Sequence, residues 1–139
     1  RTDARPGLGL DEAIRRGQLF RRAGADIVFI ESPESEEEMV RIGAEIDAPL
    51  LANNVEGGRT PILSAARLKE IGYAIAIYPA VGFLAAAAGL ERAYAHLREH
   101  GDSNGLPAEA SYGFGRICEL MGFPEVWEFE RRWSREPAE

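Results

Sequence analysis

Ile27-Val28-Phe29-Ile30 runs into Glu31, Leu50-Leu51-Ala52 into Asn53, and Ala74-Ile75-Ala76-Ile77 into Tyr78. These short apolar runs, rich in β-branched residues, read as buried parallel strands. They begin at 27, 50 and 74, so the spacings are 23 and 24 residues. A stretch of helical periodicity fills each gap, which is the signature of a βα repeat. Each strand also ends on a polar residue. In parallel α/β sheets and barrels, ligands bind at the C-terminal tips of the strands, so Glu31, Asn53 and Tyr78 become candidate site residues.

The helices follow from apolar spacing and end signals. Leu10, Ala13, Ile14, Gly17, Phe20 and Gly24 share one face of a helix expected over residues 11–23, with Gly24 as its stop. Asp11 and Glu12 suit the positive end of its dipole. A second helix begins after Pro33, where Ser35 and Glu38 fit a reciprocal capping box and Met39, Ile42 and Ile46 form the inward stripe. The acidic run from Glu34 to Glu38 reads as a solvated first turn or as a cation site. A third helix is expected from Ser64 to Gly72, and a fourth, alanine-rich, from Val81 to Glu99 before Gly101. Two tail helices are expected, over 109–121 and 124–132, the latter with Val126, Phe129 and Trp133 on one face. The opening stretch, Pro6-Gly7-Leu8-Gly9, has loop composition. With no Met before Arg1, the chain reads as starting inside a larger protein.

The totals exclude several classes. The 139 residues and 45% hydrophobic content allow one domain-sized core. A net charge of −7 without a basic stripe argues against nucleic-acid binding. No unbroken apolar run reaches the ~18 residues of a bilayer span; the longest, Ala85 to Ala88 with its neighbours, contains Gly and sits in a helix pattern, so no membrane partner is expected. The single cysteine, Cys118, cannot form an internal disulfide and fits a reducing, cytoplasmic location.

Several groups could carry chemistry. Glu31, at a strand tip, either meets a substrate hydroxyl or caps the following helix or pairs with an arginine. Asn53 either holds a substrate oxygen or forms a turn. Arg1 is a planar carboxylate binder if Arg1-Thr2-Asp3 ends a further strand. Glu56-Gly57-Gly58 is a tight turn or a mobile loop. Gly7 and Gly9 lack the third glycine of a dinucleotide fingerprint. His96 and His100 stand at metal-competent i, i+4 spacing, but at a helix C-terminus where they can cap the dipole instead. Cys118 reads as a packed thiol.

Arg1-Thr2-Asp3-Ala4, Gly9-Leu10-Asp11-Glu12-Ala13-Ile14, Ala23-Gly24-Ala25-Asp26, Ile30-Glu31-Ser32-Pro33 and Leu51-Ala52-Asn53-x-x-Glu56-Gly57-Gly58-x-Thr60-Pro61 resemble the isocitrate lyase/phosphoenolpyruvate mutase superfamily. The likeness continues through Ile77-Tyr78-Pro79 into the tail. It implies an α/β fold, the second half of a (β/α)8 TIM barrel. Residues 1–100 would supply strands five to eight, and residues 101–139 a helical tail exchanged between subunits of a homo-oligomer. It implies a Mg²⁺-dependent carbon–carbon lyase acting on a small 2-hydroxy dicarboxylate, 2-alkylmalate-like, through an enolate intermediate. Oxaloacetate decarboxylation or hydrolysis and phosphonate mutation are the alternatives within the superfamily. A non-catalytic half-barrel that works by binding or assembly is the alternative outside it. Arg1, Glu31 and Asn53 match the family's substrate-binding positions, with Val55, Glu56 and Tyr78 as secondary candidates. The Mg²⁺ ligands and the catalytic cysteine loop of the lyases would lie before Arg1, and Cys118 matches neither, so no metal ligand is assigned within this chain and the isolated chain is expected to be inactive. Methylisocitrate lyases carry an Arg shortly after the Tyr-Pro pair, where this chain has Phe83-Leu84-Ala85, and a Thr where it has Val55. Both changes remove partners for a third carboxylate, so the resemblance points away from a tricarboxylate substrate.

Overall fold

The computed structural model describes residues 1–107 and 111–134. In chain order it contains α1 (Ala4–Leu8), α2 (Leu10–Arg22), β1 (Val28–Phe29), α3 (Glu36–Glu45), β2 (Leu50–Asn53), α4 (Ala65–Glu70), β3 (Tyr73–Ile77), α5 (Val81–His100), α6 (Phe114–Leu120) and α7 (Phe123–Trp133). The chain forms two compact units, Arg1–Leu84 and Ala85–Glu139.

In the first unit the three strands pair in parallel in the order β1-β2-β3. Val28 stands opposite Leu50 and Phe29 opposite Leu51, and Asn53 stands opposite Ile77 after an irregularity between Leu50 and Leu51. A fourth segment joins at the β1 edge. Thr2 and Ile30 form a parallel bridge, the Thr2 amide donating to the Phe29 carbonyl at 3.0 Å and the Glu31 amide to the Thr2 carbonyl at 3.0 Å. Arg1-Thr2-Asp3 is therefore strand-like. Each parallel segment lies beside its neighbour in sequence, with no reversal of strand order of the kind an open doubly wound sheet contains.

Alternation sets the two faces of this arc. Thr2, Val28, Ile30, Leu50 and Ala52 are buried and face the helices. There they meet Ala13 and Ile14 of α2, Met39 and Ile42 of α3, and Leu68 of α4 in one core. Met39 and Ile42 have no exposed surface, and burying such side chains stabilises the fold by roughly 1.5–3 kcal/mol each. Two glycines let the layers close. A Cβ on Gly17 would stand 2.6 Å from Ile46 Cδ1, and one on Gly43 would collide with the Ile71 carbonyl oxygen.

The helix ends follow the sequence with three differences. Residues 6–9, expected as loop, lie partly within α1. Pro6 is tolerated because first-turn amides have no intrahelical acceptor to lose, and the Ala4 amide donates to Thr2 Oγ1 at 3.2 Å instead. At α3 the capping box is half formed. Ser35 Oγ accepts from the Glu38 amide at 3.2 Å, but the Glu38 carboxylate accepts from the Glu34 amide at 2.8 Å rather than from Ser35, because Arg5 holds it from the other side. The acidic run is thus neither simply solvated nor a cation site: Glu34 and Glu38 pair with Arg5, and Glu36 pairs with Arg67. Ser64 caps α4 through the Arg67 amide at 3.2 Å, as its position predicts.

In the second unit, α6 begins at Phe114 and α7 at Phe123. The first tail helix, expected over 109–121, is shorter at its start: residues 111–113 are not helical and Gly113 is the N-cap, while Glu109 lies outside the described residues. Cys118 is buried, while Phe114, Leu120, Phe129 and Trp133 are more than half exposed. His100 Nδ1 meets the His96 carbonyl at 3.0 Å, at the C-terminal end of α5, and His96 Nε2 meets the Asn104 carbonyl of the following loop at 2.9 Å. Among the described residues no helix is long and apolar enough to cross a membrane.

Candidate functional site

The site is built from the face of the arc that the helices do not cover. Continuing the register of β1 and β2 sets Glu31 level with Asn53, on adjacent strands whose backbones lie ~4.8 Å apart. By the Thr2–Ile30 pairing, Asp3 stands level with Glu31 on the other side, with Arg1 two residues before it on the same face. Arg1, Asp3, Glu31 and Asn53 therefore project from one surface at the C-terminal end of three neighbouring segments.

Arg1 is the hub of this face. Its Nε and Nη2 donate to the two Asp3 carboxylate oxygens at 3.2 and 2.8 Å, and Nη2 lies 3.2 Å from Glu31 Oε2. The guanidinium carbon sits 5.1 Å from the centre of the Phe29 ring, which adds cation–π attraction. The hydrogen bond to Asp3 is the main cause holding the Arg1 pKa above its usual value, and it holds the Asp3 carboxyl below the usual carboxylate range. Glu31 is the more enclosed partner, with 17% of its side chain exposed against 55% for Arg1. Ser32 Oγ donates to Glu31 Oε1 at 3.2 Å. Ser32 has φ of 58°, a left-handed conformation that costs a non-glycine residue ~1–3 kcal/mol and that gathers at functional sites.

The tip of β2 contributes buried polar atoms. Asn53 Oδ1, Glu56 Oε2 and both side-chain polar atoms of Asn54 are buried without a hydrogen-bond partner among the described residues. Asn54 has no exposed surface, and its amide donates to the Ile77 carbonyl at 2.9 Å. The following loop turns tightly. The Gly58 amide donates to the Val55 carbonyl at 2.9 Å with Gly57 at φ 72°, as a glycine-dependent β-turn requires.

The structure thus brings Arg1 and Glu31 into contact, sets Asn53 beside them, and carries Val55 and Glu56 on the loop that leaves Asn53. Tyr78 lies one residue past β3 and is exposed. Asp3, Ser32, Asn54 and Arg5 were not singled out from sequence. For Asp3 the signal was available: two residues after Arg1 on a strand means the same face. Neither Asn54, which resembles an ordinary turn residue, nor Arg5, inside a loop-like composition, carries a comparable signal.

Among the described residues no three His, Cys, Asp or Glu side chains form a group that could hold a metal ion. Asp3 and Glu31 both face Arg1, which occupies the place a cation would take between them.

A sequentially ordered parallel α/β arc carries a guanidinium, carboxylates and a carboxamide at its strand ends, where parallel α/β folds place their ligand sites. The chain belongs to the phosphoenolpyruvate phosphomutase family, which matches residues 1–98, within the isocitrate lyase/phosphoenolpyruvate mutase superfamily. It is 42% identical to 2,3-dimethylmalate lyase of Eubacterium barkeri over 134 residues, covering 96% of this chain and 46% of that protein. The structure of an oxaloacetate acetylhydrolase with its product oxalate matches with a TM-score of 0.82 at 31% identity, covering 94% of this chain and 45% of that one. A phosphonopyruvate hydrolase in complex with oxalate and Mg²⁺ matches with a TM-score of 0.75 at 28% identity, covering 93% of this chain and 46% of that one. The chain therefore spans less than half the length of each of these relatives.

Proposed function

We propose that this chain is the substrate-binding half of a Mg²⁺-dependent carbon–carbon lyase acting on a 2-alkylmalate-like 2-hydroxy dicarboxylate. The observation that carries the reading is the alignment of Arg1, Glu31 and Asn53 on one face of consecutive parallel segments, in a chain closely similar to a dimethylmalate lyase. In the reaction the 2-hydroxyl loses its proton and becomes a 2-oxo group. The C2–C3 bond breaks, and its electron pair falls on C3 as the enolate of the second carboxylate, which then takes a proton. Arg1 neutralises oxygen charge on the 2-hydroxy acid portion, Glu31 orients the hydroxyl and Asn53 holds the distal carboxylate. On the family resemblance, Val55 and the Phe83-Leu84-Ala85 stretch stand where methylisocitrate lyases carry a Thr and an Arg, and the loss of those polar partners favours alkyl substituents over a third carboxylate.

The charge count supports a metal supplied from elsewhere. Arg1 with Asp3 and Glu31 carries a net negative charge, and a dicarboxylate adds more, so productive binding needs further cations. On this reading the Mg²⁺ ligands and the proton donor lie on strands preceding Arg1, the four segments here are strands five to eight of a (β/α)8 barrel, and the enzyme is cytoplasmic. The exposed aromatic tail would be exchanged between subunits. Light scattering on the complete protein should show more than one copy per particle, and a monodisperse monomer would remove that part of the proposal.

A second reading, hydrolysis of oxaloacetate, is favoured by the structural likeness to the oxaloacetate enzyme, whose substrate is also a small dicarboxylate. Steady-state assays of the complete protein on 2-alkylmalates, oxaloacetate and phosphoenolpyruvate with Mg²⁺ separate the readings. Turnover confined to oxaloacetate supports the hydrolase, and turnover confined to phosphoenolpyruvate sinks both. No turnover of any of them, with wild-type folding, supports a binding or assembly role.

A further inference from the structure

The Arg5 side chain makes no hydrogen bond or ion pair with Arg1, Glu31 or Asn53, yet it ties together the segments that carry them. It sits on α1, immediately after the Arg1-Thr2-Asp3 segment. Its Nε and Nη2 donate to the two Glu38 carboxylate oxygens at 2.9 and 2.6 Å, a partly buried bidentate pair that links this segment to the first turn of α3. The same Nη2 lies 3.1 Å from Glu34 Oε2, in the loop that leaves Glu31. Glu38 also accepts from the Glu34 amide at 2.8 Å, which holds that loop at backbone level. The other Glu34 oxygen, Oε1, is 3.9 Å from Arg59 Nη1, on the loop that leaves Asn53.

The Arg5 and Glu38 side chains are each 20% exposed. The pair is therefore less screened than a surface ion pair, and its fork geometry fixes direction as well as distance. Between Glu31 and Glu34 the loop contains the left-handed Ser32. A strained backbone of this kind persists only where surrounding contacts over-determine it, and the Arg5–Glu38–Glu34 cluster supplies such contacts.

We propose that Arg5 is a positioning residue: through Glu38 and Glu34 it sets the loop that presents Glu31 relative to Arg1, and through Arg59 it restrains the loop after Asn53. This deepens, and rests on, the assignment of Arg1, Glu31 and Asn53 as substrate-binding residues.

The test is Arg5→Lys in the complete polypeptide. Lysine keeps the charge but cannot span two carboxylates as a planar fork. Amide hydrogen exchange reads the positioning without any substrate. Protection of the Glu31, Glu34 and Gly58 amides should fall at least about tenfold, while amides in the middle of α2 and α3 stay protected. On a 2-alkylmalate, kcat should fall about tenfold or more with a smaller change in KM, because orientation is lost more in the transition state than in binding. Glu38→Gln should move both readouts in the same direction, and it serves alone if Arg5→Lys does not fold. Unchanged exchange at those three amides overturns the proposal, as does a loss of protection spread evenly over residues 1–84. If the wild-type protein turns over no 2-alkylmalate, the lyase reading fails while the exchange comparison still decides the role of Arg5.

Discussion

Asn54 is the sharpest residue-scale test of how the β2 tip is built. It is fully buried, with both side-chain polar atoms unpaired among the described residues, and an unsatisfied buried amide costs ~1–3 kcal/mol. Asn54→Leu, which keeps the number and branching of side-chain heavy atoms and is free of that cost, should raise stability by ~1 kcal/mol in urea melts; a loss of stability would contradict this account of the tip. Glu12 tests surface electrostatics. Hydrogen bonds from Arg15, first, and Arg16 hold its pKa at about 2 against an ordinary 4.5. Its folded-state pKa is depressed, so its stabilising contribution is present above pH ~4.5 and is lost as pH falls towards ~2. Glu12→Gln should therefore melt below the wild type at pH 7, by a small margin because the group is exposed. The two melting temperatures should converge by pH ~2, and a gap that persists there would point to a cause other than charge.

At the scale of elements, the packing of α3 against the end of α4 depends on Gly43, where any Cβ would meet the Ile71 carbonyl. Gly43→Ala should cost ~3 kcal/mol or more, since backbone rather than a flexible side chain must move. An alanine variant that melts within ~0.5 kcal/mol of the wild type would contradict the close approach. The strands, the inward stripe of Met39 and Ile42, and the caps at Ser35 and Ser64 were legible in the sequence because each rests on a local rule of period or end chemistry. Glu31 and Asn53 were legible as strand tips for the same reason. What stayed hidden depends on contacts distant in sequence. Glu38 leaves the capping box because Arg5 reaches it from 33 residues away. The pairing of Thr2 with Ile30 likewise needed the fold before Arg1 could be set beside Glu31.

At the scale of the whole molecule, the described residues form a face with one guanidinium, two carboxylates and a carboxamide, without a metal-binding group of their own. On the proposed reading, this face recognises and orients a hydroxylated carboxylate, with cationic and acid chemistry supplied from elsewhere in the enzyme. Arg1, Glu31 and Asn53 are proposed to serve one lyase site. The most direct measurement is kcat/KM of the complete, Mg²⁺-supplied protein on 2,3-dimethylmalate, for wild type and Asn53→Ala. Measurable cleavage by the wild type is expected, with a fall of about 10²-fold or more in the variant and an unchanged melting temperature. Equal activity in the two proteins, or wild-type turnover of phosphoenolpyruvate alone, would contradict the proposal.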